Sequence, residues 1–578
     1  MEHHAEVVRG GVWQPRVAGG RDLAAVLLVL GIVVLLGVGA RQMLGPFVAE
    51  HQPAISLSPL ALPLYTLRTI MRMLAALVAS LIFTFTYATL AAKSRRAETL
   101  LIPILDVLQS VPILGYLSFT VVFFVSLFPG RELGPELAAI FAVFTSQAWN
   151  MAFSFYQSLR TIPSDLDEAS RSFRASAWQR FWRLEVPFAM PALIWNMMMS
   201  MSGGWFFVVA SEAISVGDVK ITLPGVGSYV ARAIEQRDLG AVGWAILAMT
   251  IAILLYDQLL FRPLVAWADK FRVEQSAAEI VPRSFVLALF RRSELIARFN
   301  ARLAGGLHRA ARAPLVVPRS LRLAGRWSPP ARIVDRVWYG LIVVATASIV
   351  WAVLRDAGSV LSWRDLRIAA SNGALTLLRV AVLIVIASAI WVPIGVFVGL
   401  RPKLTAIIQP IAQFLAAFPA NLLFPVAVVL IVRFDLSPAI WLTPLMILGT
   451  QWYILFNVIA GASAIPSDFR EAAASFRVHR LRWWRDIMLP GVFPYYVTGA
   501  ITASGGSWNA SIVSEIVSWG PTRLNGHGLG AYIAEMTEAG DFPRIALGIA
   551  VMSMLVIAAN RLLWRPLYLF AERRTRLD

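Results

Sequence analysis

Residues 162–173 read IPSDLDEASRSF and residues 465–476 read IPSDFREAAASF, displaced by 303 residues. The two stretches share their opening Ile-Pro-Ser-Asp, a central Glu-Ala and a closing Ser-Phe. The same displacement pairs Trp149 with Trp452, Phe153 with Phe456, Pro187 with Pro490, Glu212 with Glu515, and Arg262-Pro263-Leu264 with Arg565-Pro566-Leu567. A register held without a gap over so long a stretch requires two equivalent modules. Whatever one half folds into, the other must fold into as well.

Both modules read as membrane-embedded. Of the 578 residues 58% are hydrophobic and 15% charged, against roughly 25% charged in soluble domains. Runs free of Asp, Glu, Lys and Arg cover 24–40, 73–92, 113–130, 137–159, 188–211 and 239–256 in the first half. In the second they cover 337–354, 380–400, 404–432, 436–467, 491–514 and 545–560. Most approach the roughly 20 residues that cross a bilayer core. The expected fold is an all-α polytopic membrane protein of about twelve transmembrane helices, six per repeat. An even number of spans returns the chain to its starting side, so the repeats are parallel.

Orientation follows from Lys and Arg near the membrane ends. Residues 262–336 hold 15 Lys or Arg and 5 Asp or Glu, which supplies +10 of the chain's +18. That segment is expected in the cytoplasm. Both IPSD loops and both termini then face the same side, and the loops at 42–68, 212–238 and 515–541 face the other. The N-terminal run, behind an arm with acidic residues and no clear cleavage site, is read as a retained span. The expected division is 1–272, first membrane domain; 273–334, basic cytoplasmic linker; and 335–578, second membrane domain.

The positive charge sits beside spans, so topology accounts for it better than nucleic acid does. No cysteine occurs, which removes disulfides and thiolate metal sites. The histidines lack HxxxH or HExxH spacing and no GxxxxGK[ST] stretch is present. No metal or other cofactor is therefore expected on this chain, nor a nucleotide held in a P-loop.

In each IPSD loop Asp165 and Asp468 stand three residues before Glu168 and Glu471, the spacing of a helix N-cap and its capping-box partner. A short capped helix clasped between two spans would transmit force, because a partner gripping it moves both spans. Arg174, Arg180 and Arg183 follow in the first copy, and Arg477, Arg480, Arg482 and Arg485 in the second.

At this point a family resemblance becomes specific. Glu168-Ala169-Ser170 and Glu471-Ala472-Ala473 are each followed, at the family spacing, by Leu184-Glu185-Val186-Pro187 and Ile487-Met488-Leu489-Pro490. Both resemble the EAA loop of ABC importer permeases, with Arg174 and Arg477 where the family has Gly. Thr69-Ile70-Met71-Arg72, Thr376-Leu377-Leu378-Arg379, and the stretches Pro103 to Pro112 and Pro410 to Pro419 look like the nitrate, sulfonate, taurine and bicarbonate branch. So do Leu223-Pro224-Gly225-Val226-Gly227 after Glu212 and Gly528-Leu529-Gly530 after Glu515. The resemblance implies two fused MetI-like permease cores importing a small anion across a bacterial cytoplasmic (inner) membrane. It implies two ABC ATPase subunits, carrying ATP and Mg on their own chains, and a periplasmic or lipoprotein solute-binding protein. Asp165, Glu168, Ala169, Ser170, Arg174, Asp468, Glu471, Ala472, Ala473 and Arg477 would then couple the chain to the ATPases.

Ionisable residues at membrane depth are functional candidates, usually paired. Glu212 and Glu515 close charge-free spans on the side where Arg72 and Arg379 begin others, so Glu-Arg pairing and pathway lining both fit. As ligands for an anion the arginines are preferred, because a guanidinium binds oxyanions bidentately. Gly203-Gly204-Trp205 and Gly505-Gly506-Ser507-Trp508-Asn509 interrupt the fifth spans; they suit close packing or a broken helix along a pathway. Ser202, Trp205, Ser504, Ser507, Trp508 and Asn509 join the pathway candidates. Trp149 and Trp452 are read as packing residues, and Asn150 against Tyr453 and Ser154 against Asn457 point to an asymmetric pathway.

A twelve-span secondary transporter of small solutes is the alternative. Its best-known family repeats a charged motif between spans two and three, whereas the signature here lies between four and five. A membrane-embedded enzyme would show a catalytic constellation recurring in both halves, and none does.

Overall fold

The computed structural model describes residues 20–43, 54–216, 219–271, 284–312, 336–344, 360–465 and 480–575, with single positions inside 347–355 and 469–478. The duplication is written into the elements themselves. Helix Val186–Glu212 is matched by Leu489–Ser514, hairpin Ala213–Val216 with Val219–Thr222 by Ile516–Trp519 with Thr522–Asn525, and helix Leu239–Tyr256 by Phe542–Ala559. Two single π-helical turns, Phe181–Glu185 and Asp257–Phe261, recur at Trp484–Met488 and Asn560–Trp564, again 303 residues on. π-turns are rare and cluster at functional positions, so recurrence in register marks a shared constraint rather than local accident.

Helices dominate, as the composition requires. Among the described residues six continuous helices are long and apolar enough to cross a membrane, or up to nine spans if three bent pairs count once each. That is fewer than the twelve expected. The third runs are the first cause. Helices Arg95–Ser110 and Ile113–Leu127 meet at 102°, and Pro402–Ala417 and Ala420–Arg433 at 80°. Each bend sits at an X-Pro step, where the ring excludes helical backbone from the preceding residue. Val111 before Pro112 has ψ 127°, and Phe418 before Pro419 has ψ 128°. The expected span at 404–432 is therefore broken, and that at 113–130 is left with a 15-residue helix, Ile113–Leu127, set at an angle to the one before it. The run 337–354 lies partly outside the described residues.

The fourth span differs between halves. It is one helix, Leu133–Arg160, in the first and two segments, Pro438–Met446 and Gln451–Ala464, bent by 42° in the second. Pro444 and Gly449 stand in the interruption, where the first half has Phe141 and Ser146.

The two β-hairpins were not expected in an all-α chain. Each follows directly on a glutamate that ends a long helix, antiparallel in register Ala213 to Thr222 and Ile516 to Asn525. With four-residue strands they carry too little apolar alternation to stand out in sequence.

By compactness the chain divides into two units. One comprises the described residues within 1–38, 163–191 and 257–316; the other comprises those within 39–162, 192–256 and 317–578. The second contains most of both repeats, and they meet there by reciprocal contacts. Ile113 N–H donates to Asn509 Oδ1 at 2.7 Å, and Asn421 Nδ2 donates to the Phe206 carbonyl at 3.3 Å. Phe206 and Asn509 are repeat equivalents. A patch that meets its own counterpart is what a pseudo-twofold interface requires.

Candidate functional site

Glu212 ends its helix fully buried, as does Arg72 on the facing Leu62–Lys93 helix. Arg72 Nη1 donates to Glu212 Oε1 at 2.6 Å. Its Nε and Nη2 straddle Glu136 at 2.6 and 2.7 Å, and Nη2 also reaches the Pro224 carbonyl at 3.1 Å. Thr69 Oγ1 and Gly227 N–H each donate to Glu212 at 2.6 Å. Every polar atom is engaged, the condition under which a buried ion pair is tolerable. Arg68 and Glu132 add a looser pair at 3.7 Å. Burial raises the Glu132 carboxyl above its ordinary range, against the opposing pull of Arg68.

The glycines after Glu212 are explained by this packing. A Cβ on Gly225 would lie 2.3 Å from the Glu212 carboxylate, and one on Gly227 would lie 2.1 Å from the Val209 carbonyl. Only glycine lets the backbone close on the carboxylate.

In the second half Glu515 accepts from Thr376 Oγ1 at 2.8 Å, Arg379 Nη1 at 3.2 Å and Gly530 N–H at 2.8 Å. Among the described residues no second carboxylate joins Arg379. Instead its Nη1 donates to the His527 carbonyl at 2.5 Å, and its Nη2 to those of Gly526 and Ala439 at 2.5 and 3.2 Å. Ala439 is the repeat equivalent of Glu136. Gly528 holds φ +121° with a Cβ position 2.4 Å from Glu515.

A cavity of about 550 Å³ opens within the larger unit, walled by both repeats. Of the pathway candidates, Ser202, Ser504, Trp508 and Asn509 line it. Arg72, Glu212, Arg379 and Glu515 belong to the two ion-pair clusters and do not line it. Trp205 is buried against Tyr256, ring centroids 5.4 Å apart, and Ser507 is buried beside Thr450 at 3.2 Å. Trp149, read from sequence as packing, is on the wall, as are Asn150, Tyr453 and Asn457, whereas Trp452 packs on Trp391 at 5.0 Å. Asp106, Trp195 and Asn196 complete the wall and were missed. Trp195 stacks on Phe456 of the other repeat at 5.9 Å.

In the first IPSD loop a helix spans Ser164–Ser172, and Pro163 precedes it with no side-chain cap. The expected capping box of Asp165 with Glu168 is not formed, because the helix starts at Ser164 and Asp165 falls inside its first turn. The box appears later, between Ser176 and Gln179. Asp167 instead pairs with Arg180 and, at 2.8 Å, with Arg171. Glu168 and Ala169 are exposed and Ser170 is half-buried.

That helix ends in a Schellman turn: Ala175 N–H donates to the Ser170 carbonyl at 3.2 Å and Arg174 N–H to that of Arg171 at 2.8 Å. The motif demands a left-handed residue, usually Gly. Arg174 takes it at φ 51° and Arg477 at φ 53°. The turn survives without its glycine in both copies. Phe173 and Phe476, just before it, are 86% and 82% exposed. Glu471 is exposed and Ala473 buried, while Asp468 and Ala472 lie outside the described residues.

A family model described as "Binding-protein-dependent transport system inner membrane component" matches residues 84–262 and 391–576. The chain is 29% identical over 186 residues to the bicarbonate transport system permease protein CmpB of Synechococcus elongatus, which covers 32% of this chain and 64% of that protein. With the nitrate import permease protein NrtB of Leptolyngbya laminosa it shares 26% over 189 residues, 33% of this chain and 64% of that one. With the glycine betaine/proline betaine transport system permease protein ProW of Escherichia coli it shares 29% over 168 residues, 29% of this chain and 43% of that one. The chain thus spans less than two thirds of the length of these relatives.

Proposed function

Because this chain belongs to the binding-protein-dependent transport system inner membrane components, with two such domains in one polypeptide, we propose that it forms the complete translocation pathway of an ATP-driven importer. Such a component is a non-catalytic permease. In this reading ATP and Mg stay on two separate ATPase subunits, which grip the two IPSD loops, and a solute-binding protein delivers substrate on the opposite side. The division at residues 272 and 335 then separates two permease domains from a cytoplasmic tether, and both termini are cytoplasmic.

One observation carries this reading: the two loops present the same surface. In each an exposed glutamate, Glu168 or Glu471, is followed five residues later by a nearly fully exposed phenylalanine, Phe173 or Phe476. An exposed aromatic beside a strained left-handed arginine is poor value to a free surface and suits an anchor in a partner's pocket.

The relatives' names diverge among bicarbonate, nitrate and betaines. A small anion was expected from the resemblance to the nitrate and bicarbonate branch, with Arg72 and Arg379 as its preferred ligands, yet both guanidiniums are engaged in the clusters at Glu212 and Glu515. The anion keeps the support of that resemblance and of the bicarbonate and nitrate relatives.

Purifying the chain with its ATPase subunits and measuring solute uptake into proteoliposomes tests the proposal. Uptake that requires ATP hydrolysis supports it. Uptake driven by an ion gradient without ATP overturns it in favour of secondary transport.

A further inference from the structure

The cavity wall is chemically one-sided. Of the described residues lining it Asp106 alone is charged. Its carboxylate is exposed and has no hydrogen-bond or ion-pair partner among the described residues. The hydroxyls of Ser110, Thr145, Ser146, Ser202, Thr498 and Thr502 all donate to carbonyls of their own helices, at 2.6 to 3.3 Å. A hydroxyl spent in this way turns only lone pairs to the lumen. Two amides do likewise: Asn196 Nδ2 donates to Ser154 Oγ and the Ala192 carbonyl at 2.9 and 3.1 Å, and Asn457 Nδ2 to the Tyr453 carbonyl at 2.8 Å, whereas the Asn150 Oδ1 accepts from Gln109 Nε2 at 2.9 Å. Trp149, Trp195, Tyr453, Phe456 and Trp564 supply aromatic surface, whose faces are electron-rich.

An anion entering this cavity would meet the Asp106 carboxylate, and no described lining residue carries a positive charge to offset it. Trp149 Nε1 and Ser200 Oγ are buried with no hydrogen-bond partner among the described residues, but neutral donors do not hold an oxyanion beside an uncompensated carboxylate. We infer that the cavity accepts a small organic cation, an ammonium or guanidinium compound, with Asp106 as counter-charge and the aromatic rings as its bed. Asp106 is also where the repeats part company, since its equivalent is Gln413, which donates to Met198 Sδ at 3.0 Å. The single charge fixes one end of the solute in a cavity otherwise built twice.

This inference rests on the cavity being part of the translocation pathway. Its test is binding to the full chain in detergent, independent of ATPase subunits, so it can fail while ATP-driven uptake stands. Calorimetric titration with tetramethylammonium and methylguanidinium chlorides, against sodium nitrate and bicarbonate at constant ionic strength, should give saturable binding for the cations only. Asp106→Asn should weaken it at least tenfold and Asp106→Glu restore it, with melting temperatures unchanged because the carboxylate has no partner to lose. Nitrate or bicarbonate binding in place of the cations, no saturable cation binding, or cation binding indifferent to Asp106→Asn would overturn it.

Discussion

In the first half a buried arginine is held by two carboxylates; in the second its counterpart is held by one carboxylate and three carbonyls. Both clusters fasten the same joint, where a long helix ends, a hairpin begins and a glycine-rich turn closes back. The Thr, Arg, Glu and two Gly are common to both. What differs is how the guanidinium's remaining donors are satisfied. Glu136 takes two of them in one half; in the other the Ala439, Gly526 and His527 carbonyls converge on Arg379, which stays 10% exposed. A duplicated device thus keeps its hydrogen-bond count while changing its charge, and the change tracks the fourth span. Leu133–Arg160 is one continuous helix that presents a side chain to Arg72, whereas in the interrupted equivalent Ala439, in the short helix Pro438–Trp441, offers Arg379 its carbonyl.

Removing each arginine should give the largest difference between the two halves. Arg72→Ala strands two buried carboxylates and should cost about 3–5 kcal/mol. Arg379→Ala strands one carboxylate still bonded to Thr376 and Gly530, and should cost about 1–3 kcal/mol. Thermal unfolding in detergent reads both, and adding Glu136→Gln to Arg72→Ala should recover part of the loss. Equal losses for the two arginines would show that Glu136 is not part of the joint.

The glycines of the two clusters differ by less. Gly225→Ala and Gly528→Ala each drive a Cβ into a carboxylate, but Gly225 is extended at φ −178° and Gly528 lies at φ +121°. Gly528→Ala should be the worse by about 1–2 kcal/mol in the same melt. Smallest are Arg174→Gly and Arg477→Gly, which relieve left-handed strain and should each stabilise by about 0.5–1 kcal/mol. Gains that differ between the two would mean the loops do not share one turn.

Sequence reading reached what the halves hold in common and little of what separates them. The repeat, Glu212 with Glu515, and the loop signature stood at a displacement of 303, while Thr69 and Arg72 recur as Thr376 and Arg379 at 307, four residues being lost before the fourth span. Glu136 has no such echo, because Ala439 occupies its equivalent position. Asp106 escaped for the same reason as Glu136: at a displacement of 307 its equivalent is the uncharged Gln413. The bends at Pro112 and Pro419 were visible as residues, but charge-free runs say nothing of direction. Cavity-wall residues such as Trp195 and Asn196 lie on a helix apolar all round, where no periodicity separates lumen from packing.

In the proposed function the two loops are equivalent handles for ATP-driven movement of one pathway. Glu168→Arg and Glu471→Arg, singly and together, test it in proteoliposomes that contain the full transporter with its ATPase subunits. Each single variant should lower ATP-dependent uptake, and the double variant should abolish it while its melting temperature stays at that of the parent chain, since both glutamates are exposed. Uptake by the double variant at the parent rate, still dependent on ATP, would contradict the account.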